Sequence, residues 1–100
     1  MRSLVAGGLA LQVKSHRKID RVENKSDGPN RRMRIHFKNG CELSVIRGPT
    51  SYGGREGLFE IMADTMDGVC PYDECEDRDD VVGYLTKERV EYYIEKIGNL

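Results

Sequence analysis

The dipeptide Asn39-Gly40 stands between two runs in which apolar residues alternate with polar ones. In the first run Ile35 and Phe37 share a face; in the second Cys41, Leu43 and Val45 do. Period-two alternation marks a strand with one buried face, because successive side chains point to opposite sides. Asn-Gly between two such runs predicts a type I′ turn, which needs positive φ at both central residues. The chain is thereby committed to a β-hairpin over residues 34–46. The rest of the fold must cover the hairpin's apolar face.

The covering elements are legible downstream. Residues 58–63 read as a third strand whose inward set is either Leu58, Glu60 and Met62 or Phe59, Ile61 and Ala63. The second set is more apolar and is expected to face the core. Residues 81–85 give a short fourth strand or an extended lead-in. Thr86 is placed as an N-cap, with Glu88 in the favourable first turn. Val90, Tyr93, Ile94 and Ile97 then fall at i, i+3, i+4 and i+7, the apolar stripe of a helix over 87–97. Gly98 is placed as the residue after that helix. The expected class is α+β: a small antiparallel sheet of three to four strands covered by one C-terminal helix.

Residues 1–32 read differently. Leu9, Leu11 and Val13 alternate, which suits a short strand or a frayed helix. The stretch from Lys14 to Arg32 is charged and ends in a turn-rich segment at 26–30. We therefore expect a basic, flexible arm over 1–32 and a compact domain over 33–100. Residues 1–40 carry ten Lys and Arg against three acids, a net +7, whereas residues 41–100 carry six against fourteen, a net −8. Such a split suggests an interaction tail or contact between the two halves. Cys41, Cys70 and Cys75 make an odd count. With no cleavage site after the short apolar start, this argues for free thiols in a reducing cytoplasm and against a membrane location. A core of about seventy residues is small, and a homodimer is one generic way to enlarge it.

Between the second and third strands lies a connection over 47–57 with four glycines, Pro49 and a lone Tyr52. It is roughly twice the median loop length. Ordered loops on a rigid scaffold are where binding residues concentrate. Arg47, Ser51, Tyr52, Gly53, Gly54 and Arg55 are the candidate binding residues. Gly53, Gly54 and Arg55 present amides and a guanidinium to an anion, and Tyr52 presents a ring to a base or a partner side chain.

The pieces LSVIRG (43–48), SYGG (51–54), GLFE (57–60) and VVGYLT (81–86), with Val90, Tyr93, Ile94 and Ile97, resemble a group of small proteins encoded by bacteriophages and prophages. The likeness covers residues 33–97 and leaves the arm unmatched. It implies context more than chemistry: a small cytoplasmic accessory protein in an infected bacterium, acting on a host protein or complex.

Other constellations carry less. Cys70 and Cys75 with Cys41 and His36 have the donor types of a tetrahedral zinc site, but the spacing is wider than usual and a second tight pair is missing. The acidic run from Asp64 to Asp80 does not match a calcium-binding loop. It reads as a solvated loop, or as a mimic of a nucleic-acid backbone. Ser/His/Asp and Cys/His arrangements are not legible, and cofactor fingerprints are missing, so neither an enzyme nor a cofactor is expected. The basic residues Lys14, Arg17, Lys18, Arg21, Lys25, Arg31 and Arg32 suit phosphate contacts. Residues 1–36 contain no aromatic side chain on which bases could stack. The expected function is thus non-enzymatic binding through the 47–57 loop, with nucleic-acid association through the arm as the alternative.

Overall fold

The computed structural model describes residues 2–66, 70–73 and 81–100. In chain order these form β1 (Arg2–Ala6), β2 (Leu9–Val13), β3 (Ile19–Asn24), β4 (Arg31–Phe37), β5 (Glu42–Arg47), β6 (Phe59–Asp64), β7 (Val81–Leu85) and α1 (Lys87–Gly98). The class is α+β, as expected, but the sheet is larger. Strands β3 to β7 form a five-stranded antiparallel meander in sequence order, and β1 and β2 form a separate two-stranded sheet.

The basic arm expected over 1–32 is corrected. Residues 2–24 supply three strands and bury Leu4, Leu9, Leu11, Val13 and Ile19 in the one hydrophobic cluster. Leu9, Leu11 and Val13 alternate as a strand requires, although the charged stretch that follows them has the composition of a disordered segment. Those charges sit on exposed faces and turns while every second residue of β2 points inward. The β1–β2 hairpin turns at Gly7 and Gly8, with φ of +59° and +78°. This is the backbone of a two-residue primed turn. A Cβ on Gly7 would lie 2.1 Å from the Arg32 carbonyl oxygen, so the hairpin tip packs directly on the start of β4.

The 34–46 hairpin is present as β4 and β5, with Ile35 opposite Leu43 and Met33 opposite Val45. Its turn differs from the type I′ expectation. Only Gly40 is left-handed (φ +90°); Asn39 is not. The Gly40 N–H donates to the Phe37 carbonyl at 3.1 Å, and the Phe37 N–H donates to the Cys41 carbonyl at 2.9 Å. This is a type I turn followed by a left-handed glycine bulge, the common three-residue alternative. The Asn39 side chain is used elsewhere: its amide donates to the Ile97 carbonyl at 2.8 Å and ties the turn to the end of α1.

The inward face of the meander carries Met33, Ile35, Phe37, Leu43, Val45, Phe59 and Ile61, all buried. The Phe59/Ile61 set faces in, as expected. Two elements cover this face, α1 with Val90, Tyr93, Ile94 and Ile97, and the β1–β2 hairpin. Thr86 caps α1, its hydroxyl accepting from the Arg89 N–H at 3.2 Å. Gly98 is the last helical residue and not the residue after it; it lies buried near Phe37, and Asn99 caps the end.

Candidate functional site

The 47–57 loop is ordered by its own hydrogen bonds. The Ser51 hydroxyl donates to the Gly48 carbonyl and accepts from the Gly48 N–H, both at 2.9 Å. Residues Gly54–Glu56 form one 3₁₀ turn bounded by Gly53 and Gly57, both left-handed (φ +87° and +76°). A Cβ on Gly54 would lie 1.8 Å from the Gly48 carbonyl oxygen, so a larger residue cannot close this loop. The Tyr52 N–H donates to the Glu60 carboxylate at 2.9 Å.

The loop folds back on the edge of β7. The Tyr84 N–H donates to the Tyr52 carbonyl at 3.1 Å. A Cβ on Gly83 would come within 2.3 Å of the Tyr52 Cβ, and one on Gly53 within 2.9 Å of the Tyr84 Cα. Tyr84 is held at φ +57°, a conformation costly for a bulky residue. The result places two tyrosines beside this glycine contact, each 61% exposed.

Of the sequence-selected residues, Ser51, Tyr52, Gly53, Gly54 and Arg55 lie together in this loop. Arg47 does not join them. It ends β5 half-buried, with its guanidinium 5.1 Å over the Phe59 ring. There it lines a cavity of about 450 Å³ together with Gly8, Leu9, Gly57, Leu58 and Lys87. Tyr84 was missed from sequence. Its exposure follows from a register shift between β6 and β7, which strand alternation does not reveal.

The remaining constellations separate. His36 lies on the outer sheet face, where its ring bonds to Glu23 and its other nitrogen sits 3.5 Å from Glu42. The hydrogen bond from His36, with a second from Lys25, holds the Glu23 carboxyl below its ordinary range. A hydrogen bond from Arg34 does the same for Glu42. Cys41 is a buried free thiol in the core cluster, on the opposite face from His36. Cys70 is disulfide-bonded, which corrects the expectation of three free thiols and removes the thiol count as an argument for a reducing compartment. Cys75 and most of the acidic run lie outside the described residues. Of that run, Asp73 is bound to the helix: Arg89, Tyr92 and Lys96 donate to it at 2.8–2.9 Å.

The basic residues also divide. Arg21 and Lys25 pair with Glu23. Arg2, Lys14, His16 and Arg17 surround one open cavity of about 460 Å³. Among the described residues no helix is long and apolar enough to cross a membrane. No protein-family model, curated protein or solved structure matches the chain.

Proposed function

We propose that this chain is a non-enzymatic binding protein that engages a partner protein through the face built by Ser51, Tyr52, Gly53, Gly54 and Arg55, with Tyr84 beside them. The observation that carries the reading is the pair of exposed tyrosines on a rigid loop and a strained strand. Tyrosine and arginine dominate the energetics of protein interfaces. A loop already fixed by internal hydrogen bonds loses little entropy when it binds. The strain at Tyr84 is the kind of local cost that a binding surface retains. The phage setting, and a host protein or complex as the partner, rest on the resemblance of residues 33–97 alone. A cytoplasmic site of action belongs to that same part of the proposal.

The test is an affinity pull-down from bacterial lysate with wild type and the Tyr52→Ala/Arg55→Ala variant, half of each sample treated with nuclease. A protein recovered by wild type, surviving nuclease and lost in the variant, is the expected result. Retention of that protein by the variant overturns the loop assignment. The alternative, association with nucleic acid, draws on the four basic side chains around the second cavity. It predicts nuclease-sensitive recovery that falls steeply with salt and is lost in Lys14→Gln/Arg17→Gln.

A further inference from the structure

The inward-facing row of β4 runs Phe37, Ile35, Met33, and the next residue in phase is Arg31. On β5 the row runs Leu43, Val45 and then Arg47. The ladder places Arg31 directly opposite Arg47. Two like charges in a directly paired position destabilise a sheet. Neither guanidinium has a carboxylate partner among the described residues, although Arg21, Arg34 and Arg89 all do. Arg47 is further committed by its stacking over Phe59. Arg31 runs across the hairpin tip, where the missing side chain of Gly8 makes room: a Cβ there would lie 3.1 Å from the Arg31 Cδ. The cavity behind Arg47 has a floor of Leu9, Leu58 and Phe59.

We propose that Arg31 and Arg47 form a carboxylate-binding site whose ligand carries an apolar group into this cavity. The guanidinium fork matches a carboxylate in two parallel hydrogen bonds, and a bound anion removes the repulsion between the two arginines. The cavity volume lies within the range of small-ligand sites, and its apolar floor selects what is attached to the carboxylate. Lys87 and Glu88 stand side by side on the helix side of the cavity, one positive and one negative, so the two arginines supply its excess positive charge. The same chemistry is offered by the C-terminal residue of a polypeptide and by a free organic acid. The site is separate from the Tyr52 face, so each can fail without the other.

The experiment is a calorimetric titration of the full chain with a peptide ending in a free leucine carboxylate, the same peptide amidated, N-acetyl-leucine and inorganic phosphate. Saturable binding of the free acids, weakened by about tenfold or more on amidation and in both Arg47→Gln and Arg31→Gln, is expected. Tyr52→Ala is expected to leave this binding unchanged. Tighter binding of the peptide than of N-acetyl-leucine assigns the site to a polypeptide end, and equal binding to a free acid. The proposal is overturned if folded wild type shows no saturable binding of the free acids. It is equally overturned if the amidated peptide or phosphate binds as well as the acids, or if both arginine variants retain full affinity.

Discussion

At the scale of single residues, Asp73 shows how one carboxylate fixes a segment. Hydrogen bonds from Lys96, Arg89 and Tyr92, in that order of weight, hold its carboxyl well below the ordinary carboxylate range. Its presence in turn raises the Lys96 and Arg89 values. A depressed acid contributes stability that is present above its unfolded pKa and lost as pH falls through the folded one. Thermal midpoints measured from pH 6 to pH 2 should therefore fall for wild type, with the loss starting near the ordinary aspartate value of about 4. Asp73→Asn should lower the midpoint at pH 6 and flatten the acid limb; parallel curves for the two proteins would refute the assignment. Gly83 is the second test at this scale. With 2.3 Å between a Cβ there and the Tyr52 Cβ, Gly83→Ala must push the loop off β7. The expected outcome is destabilisation of about 1–3 kcal/mol in urea unfolding, the usual cost of overpacking, with new exchange broadening in the 50–57 amides. Sequence marked Tyr52 because it stood alone among glycines. It could not mark Tyr84, because nothing in the sequence specifies a left-handed tyrosine or the close approach of Gly83 that supports the loop.

At the scale of elements, the link between β2 and α1 explains why the hairpin stays on the sheet. Alternate N–H groups along the outer edge of β2 have no strand partner. The Gln12 N–H donates to Glu91 at 2.7 Å and the Lys14 N–H to Glu95 at 2.8 Å. Two strand residues advance about 6.7 Å and four helical residues about 6 Å, so carboxylates one turn apart match the spacing of a strand edge. Burial raises the Glu95 pKa, but hydrogen bonds from Ser15 and Lys14 outweigh it and the net value is lowered. Glu95→Ala should cost about 1–2 kcal/mol in urea unfolding, whereas Glu95→Gln, whose carbonyl still accepts, should cost less. Equal effects of the two would show that the carboxylate does not cap the strand. The apolar stripe of α1 and the N-cap at Thr86 were both readable, because periodicity and capping are local. The partners of Glu91 and Glu95 lie some eighty residues away, and no local pattern encodes them. The turn at Gly40 failed for a related reason: Asn39 is drawn to the carbonyl of Ile97, which fixes its side chain and favours the three-residue turn.

At the scale of the molecule, the two halves of the chain are tied together by hydrogen bonds: backbone amides of Gln12, Lys14 and Ser15 meet the carboxylates of Glu91 and Glu95 on the C-terminal helix. The hairpin and the helix share the task of covering one sheet face. Strands β4 to β6 were legible because each carries its own alternation and turn signals. The first three strands were not, since their apolar residues are interleaved with charges that mimic a disordered arm. The consequence is testable by removing residues 2–13. If those residues were an arm, the truncated chain would unfold like the full one. In the structure they bury Leu4, Leu9, Leu11 and Val13. Each fully buried aliphatic side chain contributes about 1.5–3 kcal/mol, so the four together supply about 6–12 kcal/mol, an upper figure since unfolded chains already hide some surface. That is comparable to the whole stability of a small domain, about 5–15 kcal/mol. Removal would also expose the inward face of β4 and leave Glu91 without the Gln12 N–H. The truncated protein should therefore lose its cooperative thermal transition by circular dichroism and bind a hydrophobic dye. A sharp transition within a few degrees of the full chain would return residues 2–13 to the role of a dispensable arm.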